Sequence, residues 1–137
     1  VHEADHSVLE PDAELGALIG ALPGRRIIFT NGGGGHAQRV LESLRLGGLF
    51  EAVFDIEDAE LTPKPQRACY EALLERFGID ASEAILVEDT LRNLEPAHDL
   101  GFTTALVGPV HPAPLPPYVH HHAEDVKALL RVALRRE

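Results

Sequence analysis

The chain has 137 residues, 45% of them apolar, which suits one ordinary domain with a real core and argues against disorder or a second domain. A net charge of −10 disfavours a protein whose main task is to grip nucleic-acid phosphates, although a few local cations and a metal can still hold a small phosphorylated ligand. No apolar run is long enough to cross a bilayer, and the polar start Val1-His2-Glu3-Ala4-Asp5-His6 lacks the basic and apolar regions of a signal peptide. These features lead us to expect a single domain over residues 1–137, cytoplasmic, with no membrane or nucleic-acid polymer as partner. Cys69 is the single cysteine, so no intrachain disulfide is possible. The chain starts at Val1 and contains no Met, as expected of a fragment or a processed product.

Residues 1–10 read as a polar lead-in. From Pro11, the apolar positions Leu15, Leu18, Ile19 and Leu22 repeat at helical spacing until Pro23-Gly24. Arg25-Arg26 precede a short apolar strand, Ile27-Ile28-Phe29, that ends at Thr30-Asn31. Gly32 to Gly35 form a turn. No Lys-Ser/Thr follows it, so it is not a phosphate-binding P-loop. A second helix from about His36 places Ala37, Val40, Leu41 and Leu44 on one face and closes at Gly47-Gly48. Phe50 to Ile56 reads as a second strand, and Leu61-Thr62-Pro63-Lys64-Pro65 as a rigid loop. Tyr70, Leu73, Leu74 and Phe77 mark a third helix closed by Gly78, with Cys69 as a small packed residue within it.

Ala84 to Val87 is the third strand, and it runs into Glu88-Asp89-Thr90-Leu91-Arg92-Asn93. Asn93 suits the N-cap of the next helix, with Pro96 in its first turn and Gly101 at its end. Thr103 to Val107 is the fourth strand, and Gly108 to Pro117 a proline-rich loop. His120-His121-His122 resembles a metal site or part of a tag, but an exposed polar run before the last helix is the simpler reading. That helix spans about Glu124 to Arg135. Four apolar strands alternating with five helices imply an α/β fold with one Rossmann-like parallel sheet covered by helices on both faces. Right-handed crossovers would place every strand-to-helix loop at one end of that sheet.

The chemistry-bearing residues fall in those loops. Adjacent carboxylates repel, and burying them is costly without a cation or strong donors. Glu88-Asp89 at the end of a strand therefore suits a Mg²⁺ site at the mouth of a parallel sheet, although two solvated loop acids would read the same way. Thr30 and Asn31 can donate to phosphoryl oxygens. Lys64, stiffened by a proline on each side, can neutralise phosphoryl or carboxylate charge. Alone, Thr30 merely ends a strand and Lys64 is a loop lysine. In this order they form a kit for phosphoryl transfer, where catalysis is largely positioning and electrostatics.

Ile28-Phe29-Thr30-Asn31, Pro63-Lys64-Pro65 and Leu86-Val87-Glu88-Asp89-Thr90-Leu91-Arg92-Asn93-Leu94 resemble, in order and spacing, the second, third and fourth motifs of the haloacid dehalogenase superfamily of hydrolases. The resemblance runs from about Val1 to Val107. Arg26 to Asn31, His36 to Leu41 and Glu88 to Ala97 are most similar to pyrimidine 5′-nucleotidases, which implies a nucleoside 5′-monophosphate as the small phosphorylated substrate. The resemblance implies a nucleophilic Asp that forms an aspartyl-phosphate and a second Asp, two residues on, as general acid and base. It implies that Thr30 binds the phosphoryl group, Lys64 orients the nucleophile, Glu88 and Asp89 complete a Mg²⁺ site, and Thr90 and Asn93 support that loop.

One departure is serious. No two aspartates in the chain stand two residues apart, so the first motif is missing, and Asp55 follows the wrong strand to replace it. The helical cap that shapes specificity in the family is missing too. The resemblance thus implies a C-terminal part of such an enzyme, lacking its first, central strand, less stable than its composition suggests, and inactive alone. An alternative is a catalytically inactive scaffold of the same fold that binds phosphate or Mg²⁺. A response-regulator receiver domain is disfavoured, because its acid pair precedes its Thr and Lys. Oligomeric state is not legible.

Overall fold

A computed structural model describes residues 12–60, 62–109 and 114–135. The polar lead-in and part of the proline-rich loop, residues 110–113, lie outside the described residues. The elements run α1 (Ala13–Gly20), β1 (Ile27–Phe29), α2 (Gly34–Ser43), β2 (Ala52–Phe54), α3 (Arg67–Phe77), β3 (Ile85–Glu88), α4 (Leu94–Leu100), β4 (Thr103–Val107), β5 (His121–Ala123) and α5 (Val126–Arg135). Short 3₁₀ turns cover Gly47–Leu49, Ala81–Glu83 and Leu91–Asn93. The chain divides into two compact units, Val1–Leu61 and Thr62–Glu137.

In the first unit β1 and β2 pair in parallel, with Ile27 opposite Ala52 and Phe29 opposite Phe54. The ladder extends one step further, where Thr30 N donates to Phe54 O at 3.0 Å. The second strand is shorter than its apolar run suggests, because Asp55 and Asp58 cap each other's backbone N–H groups at 2.9 and 2.8 Å and turn the chain away. Helix α1 starts on Asp12, whose carboxylate accepts from Leu15 N at 3.0 Å. The Phe29 and Phe54 rings lie 5.9 Å apart at a tilted angle, and Phe54 is buried.

In the second unit the strands order β3-β4-β5, all parallel. Ile85 to Glu88 pair with Thr103 to Leu106, and Ala105 to Val107 pair with His121 to Ala123. The middle strand β4 is buried from Thr104 to Val107, as expected of a strand covered on both faces. Helices α3 and α4 both end on left-handed glycines, Gly78 at φ 62° and Gly101 at φ 105°, where a side chain would be strained.

The fold class is α/β with parallel sheets flanked by helices, as the alternation implied, but two features differ from expectation. The strands form a two-stranded and a three-stranded sheet rather than one, so β1 and β3 each keep one edge without a strand partner among the described residues. Residues Ile85 and Val87 of β3 are exposed, while Leu86 and Glu88 are buried. The second difference is β5. By sequence the histidine run is an exposed polar stretch, yet His121–Ala123 pairs with β4. Two histidines and an alanine are too few to show a strand period, and only tertiary pairing makes them one.

Candidate active site

The carboxyl end of β3 carries the densest chemistry. The run Ile85-Leu86-Val87 pairs along β4, which delivers Glu88 to the strand's end with its side chain on the same face as buried Leu86. Lys64, in the Pro63–Pro65 segment ahead of α3, reaches Glu88 with Nζ 2.7 Å from Oε2. The Lys64–Pro65 peptide is cis. Both side chains are nearly buried, at 6% and 9% exposure. An isolated charge would be unaffordable there, and each is held by the other.

Asp89, one residue on, is exposed, and the Thr90 hydroxyl lies 3.3 Å from its Oδ1. The acid pair is thus divided: Glu88 is committed through one oxygen to Lys64, and Asp89 faces outward. The donors offered are all oxygens, which suit a hard cation such as Mg²⁺ rather than a softer metal. Among the described residues no group of three His, Cys, Asp or Glu side chains is arranged to hold a metal, so the carboxylates are a partial set. Mg²⁺ is commonly bound by one or two carboxylates with phosphate and water, and the residues present fit that pattern.

The chain after Asp89 closes a tight turn, Asn93 N donating to Thr90 O at 3.0 Å. Asn93 stands at the start of α4 as expected, but its side chain makes no capping bond and its backbone is already helical. The 3₁₀ turn feeds directly into the helix, so no extended cap is formed. Asn93 is buried, and its carbonyl accepts from the Tyr70 hydroxyl of α3 at 2.5 Å. Burial, and then the Glu88 charge, push the Tyr70 hydroxyl well above the usual tyrosine range. Burial raises the Cys69 thiol as well, opposed by the charge on Lys64. Cys69 packs as the small buried residue expected.

Tyr70 is the residue that sequence reasoning missed. By spacing it is only one apolar position of a helix. Its signal was the hydroxyl, since a tyrosine on a buried face must find a partner for it.

Thr30 and Asn31 lie in the first unit. Thr30 is half-buried, its Oγ1 accepting from Gly32 N at 3.0 Å, and Asn31 is exposed in the turn that leads to α2. A shallow cleft bordered by Arg25, Arg26 and Glu51 lies at the other end of β1. Its arginines are occupied: Arg25 pairs with Glu51 at 2.9 Å, and Arg26 donates to the carbonyls of Leu49 and Leu22.

Two histidines of the run, His120 and His122, make structural contacts. A backbone N–H can only donate, so His120 Nδ1, 3.0 Å from Thr104 N, is unprotonated and accepts. Thr104 Oγ1 accepts from His120 N at 3.0 Å and donates to Tyr118 O at 2.7 Å. His122 Nε2 lies 3.3 Å from Gly108 O. His121 is exposed.

Parallel strands flanked by helices, with a buried cation–carboxylate pair and an exposed aspartate at the carboxyl end of a strand, define a Rossmann-like core of the kind that places ligands at that end. A haloacid dehalogenase-like hydrolase profile matches residues 3–101, and the chain belongs to that family. The solved structures it resembles include L-2-haloacid dehalogenase from Xanthobacter autotrophicus with chloropropionic acid covalently bound (TM-score 0.72, 23% identity, 90% of this chain and 60% of that one). They also include a putative hydrolase of the family, YfnB from Bacillus subtilis, bound to magnesium (TM-score 0.71, 21% identity, 85% and 53%). A third is a family hydrolase from Deinococcus radiodurans R1 with bound phosphate and sodium (TM-score 0.67, 20% identity, 91% and 59%). The chain spans little more than half the length of these structures. At these identities the likeness is one of fold. No described helix is long and apolar enough to cross a membrane.

Proposed function

We propose that the chain is the motif-bearing core of a Mg²⁺-dependent phosphomonoesterase that converts a nucleoside 5′-monophosphate to nucleoside and phosphate, most like a pyrimidine 5′-nucleotidase. The observation that carries this reading is the buried Lys64–Glu88 pair with exposed Asp89 beside it. A dehalogenase works on a carboxylate substrate with a halide leaving group. The outward Asp89 has a plainer use where a cation must screen an anionic substrate from an anionic nucleophile.

In this reading Asp89 is the principal metal ligand, and Glu88 contributes through the oxygen not bonded to Lys64. Lys64, held in place by Glu88, orients and stabilises the attacking carboxylate. Thr30 and Asn31 donate to phosphoryl oxygens, and Thr90 and Asn93 support the Asp89 loop. Bound Mg²⁺ would supply charge neutralisation of the phosphoryl group. The nucleophile is an Asp that is not among these 137 residues, and the proposal therefore covers residues 1–137 as part of one hydrolase core.

The test is turnover by the native polypeptide that contains this chain, against a panel of nucleoside monophosphates and 2-haloacids, with Mg²⁺ and with EDTA. Mg²⁺-dependent phosphate release, reduced about 100-fold or more in Asp89→Asn, is the expected result. Halide release that is insensitive to EDTA would replace the reading with dehalogenation. Mg²⁺ or phosphate binding without turnover of any substrate would support the inactive scaffold.

A further inference from the structure

We propose that Tyr70 is a positioning residue for this site: its hydroxyl, bonded to the Asn93 carbonyl, ties helix α3 to the turn that follows Asp89 and keeps Glu88 and Asp89 in register with Lys64. The inference rests on the reading of that site as a metal and phosphate centre.

Helix α3 is connected to the site twice. Lys64 lies three residues before its first residue, Arg67, so the cation is fixed to the helix by the chain itself. One turn into the helix, fully buried Tyr70 reaches the turn between Asp89 and α4. Between the two connections lies the Lys64–Glu88 bond. Lys64, Glu88, Asn93 and Tyr70 thus form a closed bracket in which a shift of the turn must break either a buried ion pair or a buried hydrogen bond. The charges of the site are felt on this helix: Lys64 acts on the Cys69 thiol and Glu88 on the Tyr70 hydroxyl.

A plain structural role for the hydroxyl explains less. The carbonyl at the start of a helix ordinarily takes the first intrahelical bond, so the backbone does not need a tyrosine to satisfy it. Phenylalanine would fill the same space. What the hydroxyl adds is a fixed distance between α3 and the turn four residues beyond Asp89.

The experiment compares the native polypeptide with Tyr70→Phe and with Leu73→Val, which loosens the buried face of the same helix and leaves the Tyr70 hydroxyl in place. Mg²⁺ affinity is read by calorimetry without substrate, alongside the melting temperature and separate kcat and KM values. Tyr70→Phe should raise the Mg²⁺ Kd about three- to tenfold, the equivalent of one ordinary hydrogen bond, and lower kcat with little change in KM. Leu73→Val should lower the melting temperature at least as much and leave the Kd within about twofold. A Tyr70→Phe Kd equal to wild type, or an equal loss in Leu73→Val, would overturn the positioning role. Wild-type protein that binds no Mg²⁺ would remove the metal-centre reading itself, and the inference with it.

Discussion

Replacing Lys64 by methionine keeps an unbranched side chain of similar length and removes the charge. Glu88 would then be left at 9% exposure with no cation. Breaking one side of a buried pair costs about 3–5 kcal/mol, because the remaining charge is desolvated without compensation. For a chain of 137 residues this is a fall in melting temperature of roughly 10–20 °C. The double variant Lys64→Met/Glu88→Gln removes both charges and should recover about half or more of the loss. Thermal and denaturant unfolding of wild type, both single variants and the double variant give the coupling energy directly. A Lys64→Met loss below about 1 kcal/mol, with no coupling, would show the pair to behave as a solvated surface bridge. That result would refute the reasoning that places Lys64 and Glu88 as one fixed unit, and with it the role of Glu88 in holding Lys64 in place for catalysis.

Thr104→Val, nearly isosteric, removes the hydroxyl that serves both His120 N and Tyr118 O; it should cost about 1–3 kcal/mol in denaturant unfolding, whereas an unchanged midpoint would mean those groups find other partners. Tyr70 holds its proton more tightly when folded than unfolded, so the unfolded chain releases a proton first as pH rises. Stability should therefore be intact below about pH 10 and fall above it by up to about 1.4 kcal/mol per pH unit, with that slope lost in Tyr70→Phe. Equal alkaline slopes in the two proteins would contradict the buried position of the hydroxyl. In the 137-residue chain, amide exchange should be slowest along Thr103–Val107, the strand paired on both sides, and faster along Ile27–Thr30 and Ala84–Val87. Protection of those two segments equal to that of β4 would argue against open strand edges.

The sequence alone determined the α/β alternation and the glycine-closed ends of two helices, because apolar period and glycine stops are local signals. Gly78 and Gly101 close α3 and α4 for reasons confined to a few residues. It also brought Lys64, Glu88 and Asp89 to notice, since an acid pair after an apolar strand has little structural use. It could not divide the labour within that pair. Only the pairing of β3 with β4 decides that Glu88 turns inward with Leu86 toward Lys64, while Asp89 stays outside. It could not make a strand of His121–Ala123, whose partner is 16 residues away in β4. Nor could it connect Tyr70 with Asn93, 23 residues apart, because a hydroxyl's partner is chosen by packing. Local propensity acts over a few residues. Burial, ion pairing and strand register are set by neighbours that only the folded chain brings within reach.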